Sequence, residues 1–115
     1  MWRLMAVLAL TGCLGRSDEA CAKIESRASE IVLDAIAGTQ TCAVDEDCEV
    51  VQVVGSCFAN CTRVIAVANR AAFDAALEQA EDEACVDYHG CTLIFPPCVA
   101  PQAPTCSDEG VCQGG

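Results

Sequence analysis

The stretch that decides the fold runs from Cys42 to Val54 and has the sequence CAVDEDCEVVQVV. Two cysteines enclose an acidic, turn-rich loop, and a valine-rich segment follows directly. Valine favours β-structure because its branched side chain packs well on a pleated surface, so we predict a strand over residues 49–54. The flanking cysteines indicate that cross-links hold this strand to the rest of a small domain.

A helix is predicted before this stretch. Apolar residues recur there at steps of three and four, which places them on one face of a helix. Ser17 or Asp18 can cap the first turn and Gly38 provides a natural stop, so we expect the helix to run to about Ala37. Cys21 falls on the apolar face and is expected to fasten the helix to the body. The apolar positions are Cys21, Ile24, Ala28, Ile31, Val32, Ala35 and Ile36.

After the first strand we predict a loop, a second extended segment and a second helix. Residues 55–62 are predicted as a loop, and residues 63–68 as a second strand or the approach to a helix. Asn69 is a suitable N-cap. A helix is expected from Arg70 to about Cys85, because its apolar residues form one stripe. These residues are Phe73, Ala76, Leu77, Ala80 and Ala84.

Prolines divide the last part of the chain. A third strand is predicted over residues 91–95 and ends at residues 96–97, since proline lacks the N–H that a sheet needs. Pro101 and Pro104 keep the next segment extended, and residues 105–112 are expected to form a closing hairpin that turns at Glu109-Gly110. The pattern predicts an α+β fold, a small disulfide-rich single domain with two helices packed on a short antiparallel sheet.

The first thirteen residues have the layout of a secretory signal peptide. A cationic start precedes an apolar run over residues 4–10, too short to span a bilayer, and small residues precede Cys13. The sequence LTGC at residues 10–13 resembles the lipobox of bacterial lipoproteins. The resemblance implies cleavage before Cys13, lipidation of Cys13 and, because Leu14 follows, sorting to the outer membrane. An ordinary signal peptide would instead release the protein into the periplasm or the medium.

Cleavage before Cys13 would divide the chain into a signal peptide over residues 1–12, a tether over 13–18 and a cysteine-rich domain over 19–115. The cysteine count supports it. The chain has 11 cysteines, and setting Cys13 aside for lipid leaves 11 − 1 = 10, which can pair completely. Disulfides are the expected state outside the cytosol, although spacing does not define which cysteines pair. The cysteines expected in disulfides are Cys21, Cys42, Cys48, Cys57, Cys61, Cys85, Cys91, Cys98, Cys106 and Cys112.

The charge of the chain limits its partners. The formal net charge is −11 and no basic patch is present, which argues against nucleic acid binding through phosphates. The acidity also disfavours adhesion to anionic head groups, so we predict that the protein contacts the membrane through the lipid on Cys13 alone. A protein partner is compatible with this composition but is not identified by it.

No catalytic set is evident. The chain has one histidine, His89, in a turn that we expect to be exposed, whereas nucleophilic catalysis also needs a nucleophile and an orienting group. No Cys-x-x-Cys redox motif occurs. Only Cys57 and Cys61 have a spacing typical of zinc ligands, and the acidic residues 45–49 lack the ligand series and glycine of a calcium loop. We predict no enzyme activity, no metal and no cofactor.

Residues 91–98, with the sequence CTLIFPPC, resemble the inhibitory loop of Bowman–Birk serine-protease inhibitors, which a disulfide holds rigid. By matched position Leu93 would be the P1 residue of an inhibitor of a chymotrypsin- or elastase-type protease. Ile94 stands where that family has serine, and the loop is one residue shorter. We favour the other interpretation, in which Leu93, Ile94 and Phe95 form a strand that enters the core.

We therefore expect a membrane-anchored cysteine-rich lipoprotein that acts as a non-enzymatic binding or envelope-structural module. The alternative is a protease inhibitor that presents the loop between Cys91 and Cys98. The pattern of Cys42, Asp45, Asp47 and Cys48, followed by the closing hairpin, resembles cysteine-rich bacterial lipoproteins of unknown function over about residues 42–112. That resemblance implies a fold family and not an activity.

Overall fold

The computed structural model describes residues 17–114. Within them it has two α-helices, a two-stranded antiparallel sheet and a short closing hairpin. This confirms the predicted fold class. The elements are α1 (Asp18–Ala35), β1 (Cys48–Val54), β2 (Ala59–Ala66), α2 (Arg70–Glu83), β3 (Thr105–Cys106) and β4 (Cys112–Gln113).

Helix α1 begins where the sequence indicates. The Ser17 hydroxyl accepts a hydrogen bond from the Ala20 N–H at 3.1 Å, and Asp18 and Glu19 place negative charge in the first turn, where the helix dipole favours it. The buried face includes Cys21, as predicted, together with Ala28 and Val32.

Strands β1 and β2 form a hairpin in which Cys48 lies opposite Ala66, with an irregularity between Gln52 and Val54. Val51 and Val53 are buried while Gln52 between them is exposed, which is the alternation of a half-buried strand. The prediction of a loop over residues 55–62 is wrong in its second half, because β2 begins at Ala59. The turn itself is tight, and the Gly55 N–H donates to the Phe58 carbonyl at 2.9 Å.

Helix α2 packs beside α1 and follows the hairpin through a short 3-10 turn over Val67–Asn69. Asn69 occupies the N-cap position, as predicted, but its side chain makes no capping hydrogen bond. Its amide instead donates to the side-chain oxygen of Gln40 at 2.7 Å. The main core lies between the helices and the hairpin, and its largest fully buried side chains are Phe58, Phe73, Ile65, Val32, Val53 and Cys57.

Strands β3 and β4 form the closing hairpin that the sequence predicts. Gly110 has φ +79° in its turn, a conformation that glycine adopts at little cost. The hairpin packs on residues 40–48, because the Cys42 N–H donates to the Gly110 carbonyl and the Cys112 N–H donates to the Gln40 carbonyl. We call residues 40–48 together with residues 105–113 the clasp.

Candidate functional site

All ten cysteines expected in disulfides are paired. None of the five bonds joins cysteines that are neighbours in the sequence. Two bonds hold the clasp, one joins the β1–β2 turn to the end of α2, and two fix the segment between α2 and β3. The pairs are Cys42–Cys106 and Cys48–Cys112, then Cys57–Cys85, then Cys21–Cys91 and Cys61–Cys98.

The segment over residues 92–104, which we call the strap, is the most unusual part of the described chain. It contains neither helix nor strand, so the predicted third strand over residues 91–95 is wrong. Among residues 17–114, no main-chain group of the strap forms a hydrogen bond with another main-chain group. Prolines at 96, 97, 101 and 104 remove four donors, and the rest are free to bind water or a partner.

The strap is apolar and exposed at the same time. Ile94 is 80% exposed, Phe95 64% and Val99 86%, and these are the three most exposed large hydrophobic side chains among the described residues. Our interpretation of Leu93, Ile94 and Phe95 as a strand inside the core is therefore wrong: no strand forms there, Ile94 and Phe95 are exposed, and Leu93 is only partly buried. No charged residue occurs from Gly90 to Ser107, in a chain whose net charge is −11. A cluster of this kind on a monomer's surface is typical of an interaction site.

Disulfides hold the strap at fixed points. Cys91, directly before it, is bonded to Cys21 in the first turns of α1. Cys98 inside it is bonded to Cys61 on β2. The resemblance to a Bowman–Birk loop thus fails on one point, because Cys91 and Cys98 do not bond to each other. The ends of the loop are nevertheless fixed, each to a different element of the domain.

The two residues predicted for an inhibitory loop are in different environments. Leu93 is partly buried, and it lines a shallow groove with Glu25 and Ser29 of α1 and Phe58. Ile94 points outward beside the start of α1, where it shares a second groove with Asp18 and Cys21. Phe95 and Val99 were missed by the sequence analysis, although four prolines and a long uncharged stretch could have indicated an exposed segment.

The turn that leads into the strap is fixed by Tyr88. The Tyr88 hydroxyl donates to the Glu25 carboxylate on α1 at 2.5 Å. Burial, and then the hydrogen bond to that carboxylate, raise the pKa of Tyr88 to about 12. His89, next along the chain, is exposed, as the sequence suggested.

The acidic loop uses its carboxylates to bind its own main chain. Asp47 accepts from the Ala43 N–H at 2.8 Å and from the Val44 N–H at 3.1 Å, which holds the pKa of the Asp47 carboxyl below its usual 3.8. Asp45 accepts from the Cys106 N–H at 2.7 Å. Both carboxylates thus serve the clasp.

The sulfur atoms of Cys42, Cys48 and Cys112 lie within 4.8 Å of one another. They meet because two disulfides of the clasp are neighbours, and a sulfur in a disulfide offers no thiolate to a metal.

No family model, curated protein or solved structure matches this chain. Over the described part of the chain, no helix combines the length and the apolar character that crossing a membrane requires.

Proposed function

We propose that this protein is a lipid-anchored, non-enzymatic binding or structural module of the bacterial cell envelope, and that the strap is its contact surface. The observation that carries the proposal is the strap itself: an uncharged apolar segment that is exposed and covalently fixed. A segment that disulfides hold in place loses less conformational entropy on binding than a free segment, which favours its use as a contact surface.

Cysteine pairing supports the proposed anchor. The ten cysteines from Cys21 onward pair with one another, so none of them is left over to pair with Cys13. Cys13 lies outside the described residues and follows the lipobox-like sequence at residues 10–12. Acylation at this position would place the domain at a membrane surface, with the outer membrane as the proposed destination.

The anchor is tested by intact mass of the protein extracted from membranes. We expect a mass that corresponds to residues 13–115 with acyl chains on Cys13 and five disulfides. Cys13→Ala should yield protein that carries no acyl chains. Acyl chains on Cys13→Ala, or an unlipidated wild-type protein, would contradict the anchor.

The contact surface is tested by photo-crosslinking in cells. A photoreactive amino acid at position 95 should form adducts, with protein or with lipid, in clear excess over the same residue at Val67. Val67 is 47% exposed and lies in the turn before α2, outside the strap, which makes it a matched control. Equal yields at the two positions would argue against the strap as the contact surface.

A second candidate function is protease inhibition. The favourable observation is that residues 92–97 are exposed or partly buried, lie outside any helix or strand and are flanked by two disulfide-bonded cysteines. Leu93, the proposed P1 residue, would have to leave its groove beside α1 to enter a protease. The test is inhibition of chymotrypsin- and elastase-type proteases, lost in Leu93→Asp while the fold is kept. No inhibition by the wild-type protein across such a panel would exclude this function.

A further inference from the structure

The domain has two distinct ends along α1. At one end lie the first turns of α1 and the segment that follows α2: Cys21 is bonded to Cys91, and the Tyr88 hydroxyl donates to the Glu25 carboxylate at 2.5 Å. At the other end lies Gln40, whose amide donates to the Ile36 carbonyl at the end of α1. Eighteen residues of helix separate the two ends by about 27 Å.

The strap begins at the first of these ends. The disulfide to Cys21 brings the Cα atom of Cys91 to 5.8 Å from that of Cys21, one turn inside α1. Ile94 lines a groove together with Asp18, the first residue of α1. Ile94 therefore lies at the end of the domain where the chain toward Cys13 leaves it, and Phe95 beside it lines a shallow groove with Asn60 and Cys61 of β2. We call Ile94-Phe95 the strap tip.

The tether is short. Cys13 precedes Asp18 by five residues, which span at most about 18 Å when fully extended. A lipid on Cys13 would thus hold the start of α1, and with it the tip of the strap, close to the bilayer surface. The opposite end, with the clasp, would face away from the membrane.

We propose that the strap tip, Ile94-Phe95, inserts shallowly into the bilayer that carries the lipid of Cys13, so that the domain is held by two contacts instead of one. This inference rests on the proposed lipidation. It names the bilayer as the occupant of the strap, because the tether delivers the strap to that surface and because an uncharged apolar segment can enter the head-group region without transferring charge from water.

The charge of the domain limits how the strap can bind. Asp18 and Glu25 line the groove beside Ile94, and carboxylates there oppose both deep insertion and approach to an anionic surface. Binding should therefore be weak without the lipid, and stronger on zwitterionic than on anionic vesicles. The same acidity opposes pairing of two copies of this chain through their straps.

A single tryptophan can report the contact. The chain has one tryptophan, Trp2, in the proposed signal peptide, so Phe95→Trp gives a mature protein with one indole at the strap tip. Val67→Trp places it at the opposite end, near Ala66, whose N–H donates to Gln40. Both variants are purified with their lipid and reconstituted in phosphatidylcholine vesicles, with and without brominated acyl chains. Ile94→Trp provides a second reporter at the tip.

We expect the emission of Phe95→Trp and of Ile94→Trp to shift to shorter wavelength on the vesicles, and brominated acyl chains to quench it. Emission of Val67→Trp should do neither. Adding phosphatidylglycerol to the vesicles should reduce the shift at position 95. A mass measurement on the same samples establishes lipidation and five disulfides.

Three results would overturn the inference. If both tip reporters behave like Val67→Trp while the protein is held on the vesicles by its lipid, the strap does not touch the bilayer, and the proposed anchor stands. If they shift only when envelope proteins are added, the occupant is a protein. If the extracted protein carries no lipid, the anchor and the inference fail together.

Discussion

The clasp and the strap both depend on disulfides, and only in the clasp does the main chain also find hydrogen-bond partners. Cys42–Cys106 and Cys48–Cys112 join segments that are further held by a β-ladder and by the carboxylates of Asp45 and Asp47. Cys21–Cys91 fixes the residue just before the strap and Cys61–Cys98 fixes the middle of the strap, whose main-chain groups form no main-chain hydrogen bond within the described chain. A disulfide can thus hold a segment in place although the main chain of that segment lacks main-chain hydrogen-bond partners and its apolar side chains are exposed. Such a segment keeps these groups available for a partner.

The largest expected effect is that of reduction. The core has few large side chains, so we expect strong reductant to unfold the domain, because each native disulfide of a small exported domain contributes about 2–5 kcal/mol. Near- and far-UV circular dichroism in reductant measure this loss. Unchanged spectra would show that the core is sufficient without cross-links.

Mild reduction should distinguish the two regions, because a disulfide of the strap should be reduced before a disulfide of the clasp. Cys61 and Cys98 are both exposed, while Cys48 and Cys112 are both buried, and a reductant must reach a sulfur to attack it. We expect alkylation and peptide mapping to find Cys61 and Cys98 modified first, in protein that keeps its circular dichroism. Modification of Cys48 and Cys112 first would contradict the expectation that the strap disulfide is more accessible to reductant than this clasp disulfide.

The next largest effect concerns two glutamines. Gln40 in the clasp is 9% exposed, its oxygen accepts from the Ala66 N–H and the Asn69 amide, and its nitrogen donates to two carbonyls. Gln40→Leu leaves these groups unpaired, and we expect the free energy of unfolding to fall by about 2–4 kcal/mol. The matched control is Gln102→Leu, at an exposed position of the strap, which should change it by less than about 0.5 kcal/mol. Chemical denaturation measures the free energy of unfolding of both variants. Similar losses for Gln40→Leu and Gln102→Leu would contradict the importance of the Gln40 hydrogen bonds.

A smaller effect is expected at the turn of the closing hairpin. Gly110 has a positive φ, and a Cβ there would lie 3.3 Å from the Cys42 carbonyl oxygen. Gly110→Ala should lower stability by about 1–2 kcal/mol. Gly38→Ala is the control, because a Cβ at Gly38 meets nothing within 4 Å. Thermal unfolding of both variants measures the two changes in stability. A larger loss of stability for Gly38→Ala than for Gly110→Ala would contradict the need for glycine in the turn of the closing hairpin.

The smallest effect is a dependence on pH at Asp47. Its pKa is lowered from 3.8 by two main-chain N–H groups, so its contribution to stability is present above pH 3.8 and is lost as the pH falls through the folded-state pKa. Asp47→Asn should therefore show a smaller decrease of Tm between pH 5 and pH 2 than the wild-type protein. Asp108→Asn, at an exposed position of the closing hairpin, should follow the wild type. Identical profiles for wild type and Asp47→Asn would contradict this.

Local features of the sequence predicted most of the fold. The helical period and Ser17 defined the start of α1, valines defined β1, and Glu109-Gly110 defined the closing turn. The strap was not predicted because Leu93, Ile94 and Phe95 have good strand propensity, and propensity says nothing about whether a partner strand is within reach. Prolines at 96 and 97 limit pairing, and disulfides direct the segment to α1 and β2.

Two other features depend on residues far apart in the sequence. The contacts of Gln40 with Ala66 and Asn69 span 26 and 29 residues, and no local pattern indicates them. Cys48 lies six residues after Cys42, and Cys112 lies six residues after Cys106. This spacing does not reveal that Cys42 bonds to Cys106 and Cys48 to Cys112, because several pairings are compatible with it.

The disulfide arrangement has a consequence for biogenesis. In a chain that oxidises as it emerges N-terminus first, each new cysteine meets a sequence neighbour before its native partner: Cys48 appears six residues after Cys42, and Cys112 follows 64 residues later. Since no native bond joins neighbours, early pairs such as Cys42 with Cys48 must be broken again by thiol–disulfide exchange. The yield of native protein should therefore depend on a disulfide isomerase, and oxidant alone should trap the chain in shorter loops.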